Sequence, residues 1–294
     1  MQLDRAFDAF LTSCRVERGL SRHTVEAYAR DLSRLAERLG AADLSALTPQ
    51  ALSEHIGELN TSGKYAPATV RRHIATLRCF CRYLHRRRLL PHNPFPPHLR
   101  APRSSPLPQA ISYAEVQRLL STPDTRRLLG VRDRALLETL YASGMRVSEC
   151  CGLELADLDL DAGFARVRGK GGKVRLCPLG DYAVEWLRRY LAETRTALPP
   201  SARSSKVFLS RRGELSRVHA FRLVRAYAAG AGITVRVTPH TLRHSFATHL
   251  LENGADIRVV QELLGHASIS TVEFYTRVVT SKLRQVYTKA HPHA

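Results

Sequence analysis

Apolar residues recur at helical spacing through the first 90 residues of the chain. The clearest stripe is spaced by four and three residues and consists of Val70, Ile74, Leu77, Cys81 and Leu84. Because such positions share one side of an α-helix, the stripe predicts a helix with one buried face. Comparable patterns predict four helices, near residues 3–17, 22–39, 49–60 and 67–89. We therefore predict a small all-helical domain over residues 1–90.

The last of these helices carries a basic stripe on a different face. Its members are Arg71, Arg78, Arg82 and Arg86. An apolar stripe backed by a basic one suits a helix laid against DNA, so these arginines are candidate DNA-binding residues. The alternative is a charged face that is simply solvated. The formal net charge of +19 favours a polyanionic partner, since each Lys or Arg that neutralises a phosphate releases counterions.

Proline marks the boundary between two parts of the chain. Seven of the fifteen prolines fall within residues 91–108, which predicts an extended, semi-rigid linker. The larger part that follows is divided into a domain over residues 109–279 and a tail over residues 280–294. Neither part carries an uncharged apolar run of the roughly 18 residues that a membrane span needs. We expect a cytoplasmic protein without membrane insertion.

The pattern of the second domain is mixed but mainly helical. Ser112-x-x-Glu115 is a capping box that predicts the start of a helix. Alternating residues over 163–178, around a glycine-rich turn, predict a β-hairpin. Further helices are predicted near residues 131–142, 180–197, 216–229, 239–252, 256–264 and 270–277, and a last amphipathic piece over 281–287. The expected fold class is therefore mainly α, with a small β-sheet in the C-terminal domain.

Two arginines in the second domain occupy positions suited to a phosphate. Arg243, with His240, lies in the first turn of a predicted helix behind Thr238-Pro239, where free backbone N–H groups favour an anion. Arg146 follows Gly144, and Glu149 is placed three residues later to orient its guanidinium group. Arginine forks bind phosphate oxygens in bidentate fashion. The alternative for Arg146 and Glu149 is a surface ion pair, which contributes little.

Three further side chains are candidates for proton transfer and nucleophilic attack. Lys170, at the tip of the predicted hairpin, could donate a proton to a leaving oxygen, although a solvated turn lysine fits as well. His266 follows the glycine that ends a predicted helix, where a histidine usually only caps the helix. Tyr275 lies nine residues later and offers a phenol nucleophile, although one of ten tyrosines is usually a packing residue.

The remaining histidines and cysteines give weak support for a metal. His240 and His244 are spaced as half of a metal site, but no Glu or Cys pattern completes it. We interpret His244 and His249 as surface histidines. The six cysteines form no C-x-x-C pair and are typical of a reduced protein, so no metal is expected.

Taken together, these residues resemble the tyrosine recombinase (phage integrase) family, and within it the Xer branch (XerC- and XerD-like proteins). The resemblance runs through the whole chain in five ordered motifs: Gly144-Met145-Arg146-Val147-Ser148-Glu149, Gly169-Lys170-Gly171, His240-Thr241-Leu242-Arg243-His244, Leu264-Gly265-His266 and Ser270-Thr271-Val272-Glu273-Phe274-Tyr275-Thr276. The departures are small: Met145 and Cys150 stand where the family commonly has leucine, and Arg277 where many Xer members have histidine.

The resemblance implies a role for each candidate. Tyr275 would attack the scissile phosphate and form a 3′-phosphotyrosyl link, while Arg146 and Arg243 clamp the non-bridging oxygens. Glu149 would support Arg146. The proton donor to the 5′-oxygen would be Lys170. His240 would take the phenol proton, and His266 would donate a hydrogen bond to the phosphate. The resemblance implies no metal and no ATP, since the phosphotyrosine conserves the bond energy.

The resemblance also implies an architecture and partners. A four-helix SAM-like core-binding domain and a catalytic domain would form a C-shaped clamp around double-stranded DNA. Four protomers, of this chain alone or with a paralogous recombinase, would assemble through the C-terminal tail and exchange strands through a Holliday junction. An activating cell-division protein is a further candidate partner.

Three functions share this pattern of residues. The first is resolution of chromosome dimers at a fixed site during cell division, favoured because the chain lacks an extra N-terminal arm-binding module. The second is integration of a compact mobile element, with the same chemistry on a different site. A type IB topoisomerase is a weaker alternative, and the complete catalytic set argues against a DNA-binding protein without activity.

Overall fold

A computed structural model of the protein describes residues 1–40, 43–99, 109–169, 174–265 and 277–294. The chain divides into two compact units, Met1–Leu107 and Pro108–Ala294, each with its own hydrophobic core. No helix within the described residues is both long and apolar enough to cross a membrane.

The N-terminal unit is built from four helices, as the apolar spacing predicts. They are α1 (Leu3–Val16), α2 (Arg22–Leu39), α3 (Pro49–Thr61) and α4 (Pro67–Arg86). Local signals define their starts: the side chains of Ser21 and Thr48 accept hydrogen bonds from backbone N–H groups in the first turns of α2 and α3. The predicted stripe of α4 is buried throughout, and Phe80 of the same helix packs on the rings of Phe7 and Phe10 of α1.

A buried polar network joins three of these helices. The carboxylate of Asp31 on α2 is fully buried and accepts hydrogen bonds from Arg72 and Thr76 on α4. The imidazole of His73 lies 3.2 Å from Asp31 through Nδ1 and 2.9 Å from the ring of His55 on α3 through Nε2. Burying these groups requires that they satisfy one another, so the network fixes how α2, α3 and α4 pack.

The C-terminal unit is mainly helical around one buried helix. Its helices are α5 (Tyr113–Ser121), α6 (Leu128–Ser143), α7 (Val147–Gly152), α8 (Asp181–Arg189), α9 (Arg217–Gly230), α10 (Pro239–Glu252), α11 (Ile257–Leu264) and α12 (Arg277–Ala290). Nearly every residue from Gly130 to Ser143 is buried, so α6 forms the centre of the core. The predicted capping box of Ser112 and Glu115 is present at the start of α5. Helix α8 continues as a π-helical turn over Tyr190–Arg195.

Two small antiparallel sheets accompany these helices. The predicted hairpin is formed by β2 (Phe164–Arg168) and β3 (Val174–Pro178), with Arg166 opposite Leu176, and β1 (Leu158–Asp159) extends it to three strands. A second sheet pairs β4 (Leu209–Ser210) with β5 (Gly213–Glu214). The mainly α fold with a small β-sheet is therefore confirmed. The strands β1, β4 and β5 are not predicted from the sequence, because two-residue strands carry no periodic signal.

Helix α12 differs from the prediction at the C-terminus. It runs without a break across the predicted boundary at residue 280, whereas the sequence predicts a separate piece over 281–287. Tyr287 and Ala290 are buried against the same unit, together with His291 and His293. The predicted helix near 270–277 lies almost wholly outside the described residues. In this structure the tail therefore packs on its own chain.

Candidate active site

The site begins at a tight turn between α6 and α7. Gly144 ends α6 in the left-handed conformation, with φ of 57°. A Cβ atom added there would lie 2.3 Å from Cδ1 of Phe246 on α10, so the position requires glycine on both conformational and steric grounds. The turn directs the chain into α7 and places Arg146 immediately before that helix, with an extended backbone.

Glu149 fixes the position of Arg146. One carboxylate oxygen accepts a hydrogen bond from the backbone N–H of Arg146 at 2.8 Å, and the other accepts from its Nη1 at 2.8 Å. The Glu149 side chain is 6% exposed, whereas the Arg146 side chain is 40% exposed. The carboxylate is therefore an internal support, and the guanidinium group it holds remains accessible to a ligand. This is the geometry expected of a supporting residue rather than of a surface ion pair.

A third residue, Arg175 on β3, completes the support of Glu149. Its Nη1 and Nη2 atoms donate to the two carboxylate oxygens at 3.2 and 2.8 Å, and its Nε donates to the carbonyl of Leu263 at 3.0 Å. Arg175 is not predicted as a site residue. The only signal for it in the sequence is strand alternation, which places it on the same face as the buried Cys177.

Arg243 reaches the same turn from α10. The side chain of Thr238 caps that helix, and Pro239 occupies its first turn, as predicted. Nη1 of Arg243 donates to the carbonyl of Gly144 at 2.7 Å, and Nη2 donates to the carbonyl of Leu264 at 2.6 Å. Arg243 thus joins the turn before Arg146 to the end of α11. Only 6% of its surface is exposed.

The electrostatics of this cluster favour an anion. Burial alone would raise the pKa of Glu149, but its hydrogen bonds with Arg175 and Arg146 outweigh burial and lower the pKa below its ordinary value. Burial, together with the nearby charges of Arg146 and Arg175, lowers the pKa of Arg243 to about 10. Arg243 therefore stays charged at neutral pH. Two guanidinium groups bind the one carboxylate and the third, that of Arg243, lies near it, so a phosphate group would balance the excess positive charge.

Comparison with known proteins decides which chemistry this cluster serves. Residues 109–282 match the phage integrase family, and residues 7–88 match the phage integrase N-terminal SAM-like domain. The chain belongs to the phage integrase family. It is accordingly a site-specific tyrosine recombinase, an enzyme that cuts and rejoins DNA strands.

Individual members of the phage integrase family resemble the chain over nearly its full length. Tyrosine recombinase XerD of Listeria innocua serovar 6a is 42% identical, over 98% of both chains. Tyrosine recombinase XerC of Pelotomaculum thermopropionicum is 41% identical, also over 98% of both. A lambda integrase tetramer bound to a Holliday junction shares the fold, with a TM-score of 0.70 at 19% identity, over 98% of this chain and 78% of that one. Two nearly equal identities do not separate the XerC and XerD types.

The histidines of this recombinase on α10 have different environments. His240 is the second residue of the helix and is exposed, three residues before Arg243. His244 is exposed, as predicted. The prediction of a surface position for His249 is wrong, because its ring is 6% exposed and Nδ1 lies 2.8 Å from the hydroxyl of Tyr141. Its place on the apolar face of α10 explains the burial.

Three predicted catalytic residues lie outside the described residues: Lys170, His266 and Tyr275. The described chain ends near two of them. Gly265 closes α11 in the left-handed conformation, next to the Leu263 and Leu264 carbonyls that accept hydrogen bonds from Arg175 and Arg243. The arginine cluster therefore holds the end of the helix that leads into His266. Among the described side chains there is no group of three or more His, Cys, Asp or Glu placed to hold a metal ion.

The four predicted DNA-binding arginines of α4 are not equivalent. Arg82 and Arg86 are exposed, as a DNA-facing stripe requires. Arg78 is also exposed, but its guanidinium carbon lies 5.0 Å from the ring centroid of Phe95. Arg71 is half-buried. Their contact with DNA stays a prediction, and exposure favours Arg82 and Arg86.

Proposed function

We propose that this recombinase cleaves DNA by attack of the Tyr275 hydroxyl on the scissile phosphate, which forms a 3′-phosphotyrosyl link and releases a 5′-hydroxyl. The observation that carries the proposal is the Glu149 cluster, in which one buried carboxylate holds Arg146 and Arg175 while Arg243 fixes the adjoining turn. Guanidinium groups held in advance stabilise the charge that develops on the non-bridging oxygens in the transition state.

The remaining catalytic roles concern protons. His240 accepts the phenol proton, and its exposed position on the first turn of α10 keeps its ring open to a bound DNA strand. Lys170 donates a proton to the departing 5′-oxygen, and His266 donates a hydrogen bond to the phosphate. Because the phosphotyrosyl link stores the energy of the cleaved bond, the reverse attack by a 5′-hydroxyl rejoins the strand.

We further propose that both units contact duplex DNA. The exposed Arg82 and Arg86 on α4 would bind backbone phosphates, and the net charge of +19 supports a large electrostatic contribution to affinity. Such contacts position the protein without reading sequence. Binding should therefore weaken steeply as salt concentration rises, which a titration by fluorescence anisotropy would measure. Salt-independent binding would contradict these phosphate contacts.

Four protomers would act together, as the lambda integrase tetramer on a Holliday junction suggests. The neighbouring protomer would be this chain or a paralogue, and the tail from residue 280 would dock between protomers. Tyr287 and Ala290 pack on their own unit in this structure, so docking requires that the tail leave that position. We expect a protein truncated after Thr280 to bind site DNA but to form no tetramer in sedimentation experiments. Normal tetramers would contradict the docking.

The biological role that we propose is resolution of chromosome dimers at a fixed site in the cytoplasm during cell division, with a cell-division protein as an activator. The nearly full-length similarity to XerD and XerC proteins supports this role. The same chemistry would serve the integrase of a compact mobile element. A type IB topoisomerase is disfavoured, because the relatives are recombinases over the whole chain.

Denaturing capture of covalent adducts would test both the chemistry and the role. Purified protein would be mixed with sheared host DNA, in parallel with a Tyr275→Phe variant, and the DNA retained after denaturation would be sequenced. We expect adducts that depend on Tyr275 and converge on one chromosomal sequence. Convergence on the ends of a mobile element would support the integrase, and scattered adducts would support a topoisomerase. Adducts that survive Tyr275→Phe would contradict the nucleophile.

A further inference from the structure

We propose that Arg175 is a positioning residue that holds the guanidinium groups of Arg146 and Arg243 where they can bind the phosphate. This inference rests on the proposed function of those two arginines as the phosphate clamp. Arg175 itself stays away from DNA: its Nε, Nη1 and Nη2 atoms donate to protein acceptors, and only 7% of its surface is exposed.

The link to Arg146 passes through Glu149. A carboxylate held by one arginine alone can rotate about its terminal bond, since that torsion is broad. In Glu149 each oxygen accepts from both Arg146 and Arg175, at distances between 2.8 and 3.2 Å. These four hydrogen bonds fix the plane of the carboxylate, and that plane sets the direction of the Arg146 guanidinium group.

The link to Arg243 passes through the end of α11. Arg175 donates to the carbonyl of Leu263, and Arg243 donates to the carbonyl of the next residue, Leu264. A Cβ added at Gly265 would lie 3.2 Å from Cδ of Arg175, so the helix end packs closely on this side chain. Arg175 therefore holds the residue that precedes the carbonyl group to which Arg243 donates. One side chain of β3 orders both members of the arginine pair.

The guanidinium groups repel one another, so the arrangement depends on the hydrogen bonds that Arg175 makes. The guanidinium groups of Arg146 and Arg175 each lower the pKa of Arg243 by repulsion, beyond the larger effect of its burial. Like charges placed together tend to move apart unless hydrogen bonds hold them. A lysine at position 175 would keep the positive charge but would lose the planar fork that bridges Glu149 and Leu263. Arg175→Lys therefore separates geometry from charge.

The test compares two substrates in single-turnover cleavage: a nicked suicide duplex of the sequence recovered by adduct capture, and the same duplex with a methylphosphonate at the scissile position. The methyl group removes the negative charge of one non-bridging oxygen, so the arginine pair contributes less to the transition state. We expect Arg175→Lys to slow adduct formation by about 10- to 100-fold on the phosphodiester. On the methylphosphonate the loss should be no more than about 3-fold, since less charge needs to be stabilised.

Arg195→Lys is the matched control, because Arg195 is equally buried and donates to the carbonyls of Ser204 and Lys206 in the same unit. We expect it to cleave both substrates at the unsubstituted rate. Equal losses for Arg175→Lys on the two substrates would reveal a merely structural role, and unchanged cleavage would show no role; either result would overturn the proposal. If the unsubstituted protein formed no Tyr275 adduct, the proposed function itself would fall.

Discussion

Each unit of the protein contains a buried carboxylate that is bound by arginines, yet the two clusters differ in where the positive charge lies. In the N-terminal unit Asp31 is fully buried, while its partners Arg34 and Arg72 keep 31% and 35% of their side chains exposed. In the C-terminal unit Glu149 is 6% exposed, and its partner Arg175 only 8% by side chain. Water can solvate the arginines of the first cluster and has little access to Arg175.

The comparison shows what distinguishes a phosphate site from a structural ion pair. Asp31 also accepts a hydrogen bond from Thr76 and neighbours His73, so its contacts serve to hold helices together. In the other cluster Glu149 binds two guanidinium groups, with that of Arg243 close by, and Arg146 stays accessible. Buried excess charge is costly, and a ligand phosphate repays that cost. An arginine–carboxylate pair therefore indicates a phosphate site only when its burial and its charge balance are also known.

The largest expected difference between the clusters concerns catalysis. We expect Arg243→Lys to lower the single-turnover cleavage rate by about 1,000-fold, because a lysine cannot reproduce a fork aimed at a phosphate. Arg72→Lys, the matched change beside Asp31, should leave the rate within about 2-fold at saturating protein. Quenched-flow cleavage of the site duplex would measure both. A large loss of cleavage rate in Arg72→Lys would contradict a purely structural role for the Asp31 cluster.

A change at Asp31 should instead affect the stability of the protein. We expect Asp31→Asn to lower the free energy of unfolding by about 2 to 3 kcal/mol, because His73 and Arg72 lose a charged partner inside the helical packing. Urea unfolding followed by circular dichroism would measure the change. Asp8→Asn, an exposed carboxylate on α1, is the control and should change stability by less than about 0.5 kcal/mol. Equal effects at the two positions would contradict the structural role of Asp31.

A smaller effect on rate is expected when the Glu149 carboxylate is neutralised. Glu149→Gln keeps the size of the side chain but weakens its hold on Arg146 and Arg175, so cleavage should slow by about 30-fold. Binding of the site duplex, measured by anisotropy, should change little. Glu154→Gln removes a partly exposed ion pair with Lys206 in the same unit and should have no effect on the rate. Cleavage by Glu149→Gln at the wild-type rate would contradict the supporting role of Glu149.

The smallest effect is the contribution of His55, in the network of Asp31, to the pH dependence of stability. Burial and the neighbouring His73 lower the pKa of His55 from its ordinary 6.5 to about 4. Below pH 6.5 the unfolded chain binds this proton and the folded chain does not, so stability is lost as pH falls towards 4. We expect His55 to contribute about 1 kcal/mol to the loss of stability at pH 5.5, so that His55→Gln loses less by that amount. Urea unfolding at pH 7 and 5.5 would measure it, and an unchanged loss in the variant would contradict the assignment.

The sequence predicts what local chemistry determines. Helix starts at Thr48 and Ser112 and the turn at Gly144 follow from capping and from backbone conformation, and the structure confirms them. Strand alternation likewise predicts the hairpin. In the candidate site, Arg146, Glu149 and Arg243 stand in motifs and are brought together at one turn.

What the sequence leaves open depends on contacts between distant segments. Arg175 becomes a site residue only because β3 packs beside α7 and α11, 26 residues from Glu149 and 88 from Leu263 along the chain. The burial of His249 against Tyr141 has the same origin, 108 residues apart. An isolated arginine or histidine has no periodic signal that reports such partners.

The central claim, that a positively charged cluster serves a tyrosine nucleophile, is tested most directly by mapping the covalent adduct. The trapped complex would be digested with nuclease and protease, and the peptide that carries the nucleotide would be identified by mass spectrometry. We predict one modified peptide, in which a nucleotide is attached to Tyr275 through its 3′-phosphate. Arg243→Lys should give no such peptide at short reaction times. A nucleotide attached to any other residue, or through a 5′-phosphate, would contradict the account.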